Sequence, residues 1–389
     1  MQELKRIINY KRIILLLIAV TVNVVFFLYD NKPVMDEDII NKENVAHETY
    51  IKNYHEEVNA IIDNADKLKK YSIFNKAGSF SYANILQTAR DFERVKNVIL
   101  PEDEYKGVQA YTTYYYQYFF TMLVMMFVIY DMFAQRDNGM WSITYSCANG
   151  RIMYAIKQTG VIVVTGAFTH TLIYWSTFIA AMLQRGGVRD LVNPVQTIET
   201  FDKFTYPWSK IKYVTVLYLI SMVCIVALCI TIWGVFVMFR NRVYALVTML
   251  IFAAVEQFIY SHIDIHSVWN GLHYINIINI ININATFSSY RNWGVGTYVF
   301  PVFSVVLFVH IICAGVIGYI AINVSASMKP YKNTTFIKRF MDLWVIPAIE
   351  NGLQIVYQLA VRKFLQGFRF YLRKYINLYL LLIVAGLLW

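Results

Sequence analysis

The sequence predicts an all-α polytopic membrane protein whose six apolar helices form one bundle. Of its 389 residues, 58% are hydrophobic and only 15% are charged, a balance that soluble globular domains do not show. Several apolar runs reach the roughly 20 residues that a helix needs to cross a bilayer, and they are too long and continuous for strands. Because hydrocarbon offers the backbone no water to bond, helices are the expected spanning elements.

Residues 1–29 predict a cytoplasmic elbow followed by the first transmembrane helix. The first twelve residues, MQELKRIINYKR, are basic and amphipathic, a pattern typical of a segment lying at the membrane surface. An aliphatic run follows up to residue 29. No small-residue cleavage site precedes Asp30, so we interpret this region as an uncleaved anchor with its N-terminus in the cytoplasm.

Residues 30–111 are polar and predict an extracellular helical domain between the first two spans. A turn at Gly78-Ser79 separates two stretches whose apolar residues repeat at helical spacing. This pattern indicates a helical hairpin outside the membrane. The two apolar faces consist of Ile51, Tyr54, Val58, Ile61, Ala65 and Leu68, and of Tyr82, Ile85, Leu86, Ala89, Phe92 and Ile99.

Residues 112–324 contain the next five predicted spans. The second and third spans, Tyr114 to Phe133 and Gln158 to Leu183, flank a short polar cytoplasmic segment at residues 134–157. Tyrosines crowd the start of the second span. They predict either an aromatic belt at the membrane interface or a substrate-stacking vestibule, for which Tyr115 and Tyr118 are the candidates.

The 134–157 segment resembles the region after the second helix of type-2 ABC exporter permeases, although the family's usual Glu near Asp137 and Pro near Asn149 are absent. In that family the segment is a coupling helix that docks on an ATPase subunit. An ordinary inter-helix loop, basic because of the positive-inside rule, is the alternative. The resemblance implies an ATPase-coupling role for Arg136, Asp137, Gly139, Trp141, Gly150, Arg151 and Lys157.

The later spans are predicted at Tyr213–Phe239, Val243–Tyr260 and Tyr298–Val324. Residues 261–297 are apolar but rich in His and Asn, which favours short re-entrant or interfacial helices ending in a glycine-bearing turn. Type-2 permeases carry comparable short external helices between their fifth and sixth spans. His262, Asp264 and His266 lack a third soft ligand nearby, so we predict no metal site.

The C-terminal region predicts a cytoplasmic segment followed by the start of another span. Residues 325–375 hold nine basic and two acidic side chains, a strongly cytoplasmic balance. Residues 376–389 are an aliphatic run preceded by the basic-aromatic stretch FRFYLRKY, which together repeat the N-terminal pattern. We expect them to begin a second permease half; a short interfacial C-terminus is the alternative.

No catalytic or nucleotide-binding motif appears in the sequence. It lacks the G-x-x-x-x-G-K-[ST] pattern, so ATP and Mg would have to be bound by a partner, and we predict neither cofactor nor enzymatic activity for the chain itself. Its net charge of +10 lies beside the spans, which indicates anionic lipid rather than nucleic acid. Glu256 and Gln257 are candidates for a translocation path or a subunit interface, since charge within a span is costly; a hydrogen-bonded carboxyl near the outer interface is the alternative.

The resemblance implies a permease subunit of an ABC exporter in a bacterial cell membrane, moving an apolar or amphipathic substrate such as a lipid, peptide or drug. The implied partners are an ABC ATPase subunit, a second permease half and membrane lipids. A membrane sensor or scaffold that reads an external ligand through residues 30–111 is the alternative function.

Overall fold

The computed structural model describes residues 10–33, 36–71, 74–76, 78–102, 106–137, 150–239, 242–263, 267 and 269–327. Helices dominate these residues. They are α1 (Tyr10–Asp30), α2 (Glu37–Leu68), α3 (Phe80–Glu93), α4 (Lys106–Thr113), α5 (Tyr116–Asp137), α6 (Gly150–Arg185), α7 (Lys210–Met238), α8 (Arg242–His262), α9 (Asn270–Ile275), α10 (Ile278–Ile281), α11 (Ile283–Ser288) and α12 (Val302–Ser327).

Six of the described helices, α1, α5, α6, α7, α8 and α12, are long and apolar enough to cross a membrane. They correspond in number and order to the six predicted spans, so the chain is a multi-pass membrane protein by length and composition. The largest boundary difference concerns the third span. Its helix begins at Gly150 rather than Gln158, so Gly150, Arg151 and Lys157 belong to α6 itself.

Helix α7 forms the centre of the bundle and packs against α12, α6 and α5. Close approach to α12 depends on small residues. A Cβ atom built on Gly234 would lie 2.4 Å from Cγ2 of Ile317, and one on Gly318 would lie 3.0 Å from Cγ2 of Ile230. Small residues at helix crossings let membrane helices approach until their backbones are in van der Waals contact, which is the main attraction available in lipid.

Helices α2 and α3 form the predicted helical hairpin. Asp36 caps α2 by accepting the Asp38 N–H at 3.0 Å, and Ser79 caps α3 by accepting the Tyr82 N–H at 3.2 Å. Gly78, with φ of 84°, makes the turn before α3. The apolar core between the helices consists of Tyr50, Tyr54, Val58, Ile62, Phe92, Val95 and Leu100.

The second apolar face predicted for the hairpin continues past the end of the observed helix. Helix α3 ends at Glu93, and Ile99, assigned to that face, is 80% exposed. The backbone instead turns after α3, where the N–H of Val95 bonds to the carbonyl of Phe92 at 3.1 Å. After this turn, Val95 and Leu100 rather than Ile99 complete the core.

The segment between α8 and α12 contains the three short helices α9, α10 and α11, followed by a β-hairpin. The strands are β1 (Asn292–Val295) and β2 (Tyr298–Pro301), antiparallel with Trp293 opposite Phe300. Gly296, with φ of 63°, provides the predicted glycine-bearing turn. The sixth span therefore begins at Val302, not at Tyr298. Residues 298–300 are Tyr, Val and Phe, which favour strands as strongly as they favour membranes.

Tyr290 fixes the α2–α3 hairpin to the loop preceding β1. Its hydroxyl donates to the Asp91 carboxylate at 3.0 Å, and its ring packs against Phe92 at a centroid distance of 5.1 Å. Burial is the main cause that raises the pKa of Tyr290 to about 12. The folded protein therefore holds this proton more firmly than the unfolded chain does.

We expect Tyr290→Phe to make the hairpin easier to open by about 1 kcal/mol, because the Asp91 carboxylate loses a donor. Local opening is measured by amide hydrogen exchange in α3. Because the pKa of Tyr290 is raised, its stabilisation of the hairpin is complete below pH 10 and is lost as the pH rises through about 12. The stability of the hairpin in the variant should therefore depend less on pH in the alkaline range. Tyr71→Phe is the control, since Tyr71 is 61% exposed; an equal effect there would contradict the prediction.

Candidate functional site

Of the residues predicted to couple to an ATPase, those that the structure describes lie at the end of the bundle opposite the hairpin. Arg136 and Asp137 are in the last turn of α5, and α6 begins at Gly150. Gly139 and Trp141 lie outside the described residues, as do 328–389, which include most of the predicted basic segment and all of the predicted further span.

Helix α6 is longer than a perpendicular crossing of the hydrocarbon requires. Its 36 residues make it about 54 Å long, against a hydrocarbon thickness of about 30 Å. The C-terminal end of α6 is fixed near the end of α1, because Arg185 donates to the backbone carbonyls of Asn31 and Lys32 at 2.9 and 2.8 Å. Measured from that end, the length in excess of the hydrocarbon thickness lies toward Gly150.

The first turns of α6 expose a mixed apolar and basic stripe, which we name the coupling face. Ile152, Met153 and Ile156 are between 49% and 53% exposed, and Lys157 is also exposed. Tyr154 and Ala155, between them, are buried in the bundle. Lys157 is one of the predicted coupling residues, whereas Ile152, Met153 and Ile156 were not predicted, because they lie in the 134–157 segment expected to be a polar connection.

Helices α1 and α5 are joined near the same end by an ion pair. The Arg12 guanidinium donates to the Asp131 carboxylate through Nε at 3.1 Å and through a second contact from Nη2. Both residues stand out in the sequence, Arg12 as part of the basic lead and Asp131 as a charge within a span.

The four residues predicted to line a translocation path fall into two separate groups. Tyr118 is 1% exposed and stacks on His170 inside the bundle, while Tyr115 is 39% exposed and stacks on Tyr116 at 4.4 Å. Glu256 and Gln257 lie on α8, where Gln257 is exposed and Glu256 is half-buried.

Glu256 holds the short helices against α8. Its carboxylate accepts the backbone N–H of Ile277 at 3.1 Å, and its backbone carbonyl accepts the Asn276 amide at 2.7 Å. Asn276 in turn accepts the N–H of Ile278 at 2.8 Å. The Glu256 carboxylate is therefore hydrogen-bonded at the hairpin end of the bundle.

The sequence does not predict a layer of polar side chains buried in the bundle. Asn284 joins α7 to α4. Its Oδ1 accepts from the Tyr213 hydroxyl and its Nδ2 donates to the Thr112 carbonyl, both at 2.6 Å. Asn23 joins two others: it donates to Thr177 Oγ1 at 2.7 Å and accepts from the Tyr114 hydroxyl at 3.1 Å. Such hydrogen bonds connect membrane helices to one another.

His170 is a structural histidine in this layer. Its Nε2 lies 2.8 Å from Ser221 Oγ, and its ring stacks on Tyr118 and Tyr218. Within the described part of the chain, no group of three or more His, Cys, Asp or Glu side chains is placed to hold a metal ion. Asp264 and His266, two of the three residues weighed as zinc ligands, are outside that part.

The fold and these sites together define a multi-pass membrane protein with a docked polar hairpin at one end and a projecting helix at the other. Comparison with protein-family models, curated proteins and solved structures finds no match to this chain.

Proposed function

We propose that the chain is the permease subunit of an ABC exporter of the type-2 class, driven by a separate ATPase subunit that binds ATP and Mg. The projecting start of α6 is the observation that carries the proposal. A protein that is only anchored in a membrane needs no helix that continues about 24 Å past the hydrocarbon, whereas a transporter moved by a separate motor needs such a lever.

The coupling face has the composition of a docking surface. Ile152, Met153 and Ile156 place apolar surface beside the Lys157 ammonium at the end of the projecting helix. Apolar patches rimmed by charge mark protein interaction sites. In this proposal the face binds the ATPase on the cytoplasmic side, which puts the N-terminus inside and the hairpin outside a bacterial cell.

Helix α6 can transmit a displacement across the bundle. It is one continuous helix from Gly150 to Arg185, packed on α7, α1 and α5. A push on the coupling face therefore moves the polar layer and the hairpin end together. Rigid-body rocking of two such bundles would open a path between them for an apolar or amphipathic substrate such as a lipid, peptide or drug.

Helix α8 supports the presence of a second permease half. Of the residues that the structure describes in α8, Ala245 alone is buried, and Leu250, Phe252, Val255 and Phe258 are exposed together with the Gln257 amide. Lipid can cover the apolar side chains, but it offers an amide no hydrogen bond. We assign this face to the opposing half, supplied by another subunit.

The test is purification of the full-length protein from its native membranes. We expect a P-loop ATPase to co-purify and hydrolyse ATP, and native mass spectrometry to give the mass of a complex with two permease halves. Replacing Met153 and Lys157 by Glu should reduce the bound ATPase by at least about tenfold, because carboxylates are placed on an apolar and basic contact.

Lys52→Glu is the matched control, since Lys52 is 74% exposed on the hairpin at the other end of the molecule. It should retain the ATPase. Failure of any ATPase to co-purify, or equal loss in the control, would contradict the proposal.

An external-ligand sensor is the second candidate, and the rigid docking of the hairpin favours it. The Tyr50 hydroxyl donates to the Gln196 carbonyl at 2.8 Å, and the Lys106 ammonium lies 3.3 Å from the Glu43 carboxylate. Burial raises the pKa of Tyr50 well above its usual range, so it remains a donor at physiological pH. Signalling to a partner without ATP hydrolysis would distinguish this function from export.

A further inference from the structure

A polar groove of about 590 Å³ lies where the α2–α3 hairpin meets the ends of α1 and α6. One face of α2 and one face of α4 form its walls, and the residues that follow α1 and end α6 form its floor. Its volume is in the range of small-molecule sites, roughly 300 to 1,000 Å³. Nothing in the proposed export function depends on this groove.

The charges of the groove are only half neutralised. Across the walls, Lys106 pairs with Glu43 at 3.3 Å. On the floor, Arg185 uses Nε and one Nη2 hydrogen for backbone carbonyls, and no carboxylate of the described residues lies within ion-pair distance of it. Glu199 is exposed at the rim, and no cation in the described part of the chain pairs with it.

An unneutralised guanidinium and an unneutralised carboxylate in one groove complement a ligand that carries both charges. Arg185 has five N–H groups, of which two are engaged, so three remain to donate to an anion. Guanidinium groups favour phosphate because two N–H groups can bind two oxygens in parallel. A carboxylate such as that of Glu199 accepts from an ammonium group in the same way.

The groove also lies at the depth of lipid head groups. Arg185 is the last residue of a candidate span, and Asn31 follows the last residue of another. These ends place the floor at the boundary between hydrocarbon and water, where the head groups of a bilayer lie. The exposed apolar surface of α1, including Val25 and Leu28, runs from this boundary into the membrane.

We propose that this groove binds a zwitterionic phosphoamine, with the phosphate on Arg185 and the ammonium on Glu199. The head group of phosphatidylethanolamine has this chemistry and occurs at this depth. Soluble phosphoethanolamine shares the chemistry without the acyl chains. The site binds its ligand without covalent change.

The experiment measures lipid binding to the detergent-solubilised full-length protein by native mass spectrometry. The probes are phosphatidylethanolamine, phosphatidylglycerol, which has the phosphate but no ammonium, and soluble phosphoethanolamine. We expect phosphatidylethanolamine to bind at least about tenfold more tightly than phosphatidylglycerol, the size of effect expected for one charge-assisted bond.

Two variants test the contributions of the two charged residues separately. Glu199→Gln should abolish the preference for phosphatidylethanolamine, and Arg185→Gln should weaken both lipids by about tenfold. Arg185 also supports the α1–α6 contact, so its variant is replaced as a test if it does not fold. In that case the lipid preference of the Glu199 variant alone decides the outcome. Arg189→Gln and Asp63→Asn are controls, since both residues are exposed and line no part of the groove.

Equal binding of the two lipids by the unaltered protein would overturn the proposal. So would a Glu199→Gln variant that keeps the preference, or controls that lose it. Binding of soluble phosphoethanolamine with the same dependence on Glu199 would support the site and show that the head group alone suffices. Binding of the lipid alone would support it and assign the ligand to the bilayer.

Discussion

Gly234→Val is expected to separate α7 from α12 and to lower the stability of the whole bundle. A Cβ atom at position 234 already lies 2.4 Å from Cγ2 of Ile317, a distance at which side chains cannot remain without movement. Ile317 is β-branched on a helix, so it has one strongly preferred rotamer and cannot turn away. Overpacking of this kind costs about 1–3 kcal/mol, and the two extra methyl groups of Val put the cost at the upper end.

The measurement is the midpoint of thermal unfolding of the purified protein in detergent. Gly160→Ala is the matched control, because no atom lies within 4 Å of the position that its Cβ would occupy. That change should be neutral or stabilising by up to about 1 kcal/mol, since Ala is the better helix former. A Gly234 variant as stable as the control would show that α7 and α12 do not pack as described.

Asn284→Leu is expected to have an effect of similar size. The side chain is buried, and its two hydrogen bonds, both 2.6 Å long, reach the Tyr213 hydroxyl and the Thr112 carbonyl. Leu fills a similar volume but leaves a buried donor and a buried acceptor unpaired. Each unpaired group costs about 1–3 kcal/mol. We therefore expect a loss of about 2–6 kcal/mol, the combined cost of the two groups.

A double-mutant cycle makes this prediction specific. Tyr213→Phe removes the donor that Asn284→Leu leaves unpaired, so the double variant should be more stable than the sum of the single effects predicts. The cycle is read from chemical or thermal unfolding in the same detergent. Strict additivity would mean that Asn284 and Tyr213 are not bonded in the folded protein.

The sequence predicted the elements that depend on local pattern. The six spans follow from the length of apolar runs, and buried Tyr54, Val58 and Ala65 follow from the helical period of α2. These features need no knowledge of the rest of the chain. The start of α12 was misplaced because Tyr298 and Phe300 satisfy the membrane pattern and the strand pattern equally.

The arrangement of the sites depends on pairs of residues far apart in the chain, and these were not predictable. Arg12 and Asp131 each stand out, but nothing in one sequence shows that they pair. Glu256 stands out as a charge within a span, while its partner is the backbone of Ile277, which has no sequence signature. The Asn-rich stretch has the pattern of an interfacial segment, although Asn284 is bonded to α7 through Tyr213.

The contact between Phe80 and Gly294 gives the hairpin a mechanical connection to the centre of the bundle. The bare backbone of Gly294 lies against the Phe80 ring, and the Asn292 amide donates to Asn84 at 2.8 Å. Strand β2 leads directly into α12, and α12 packs on α7. A force that tilts the hairpin is therefore transmitted to α12 and α7, the two most tightly packed helices. An antibody or ligand bound to α3 would in this way reduce the motion of the membrane domain.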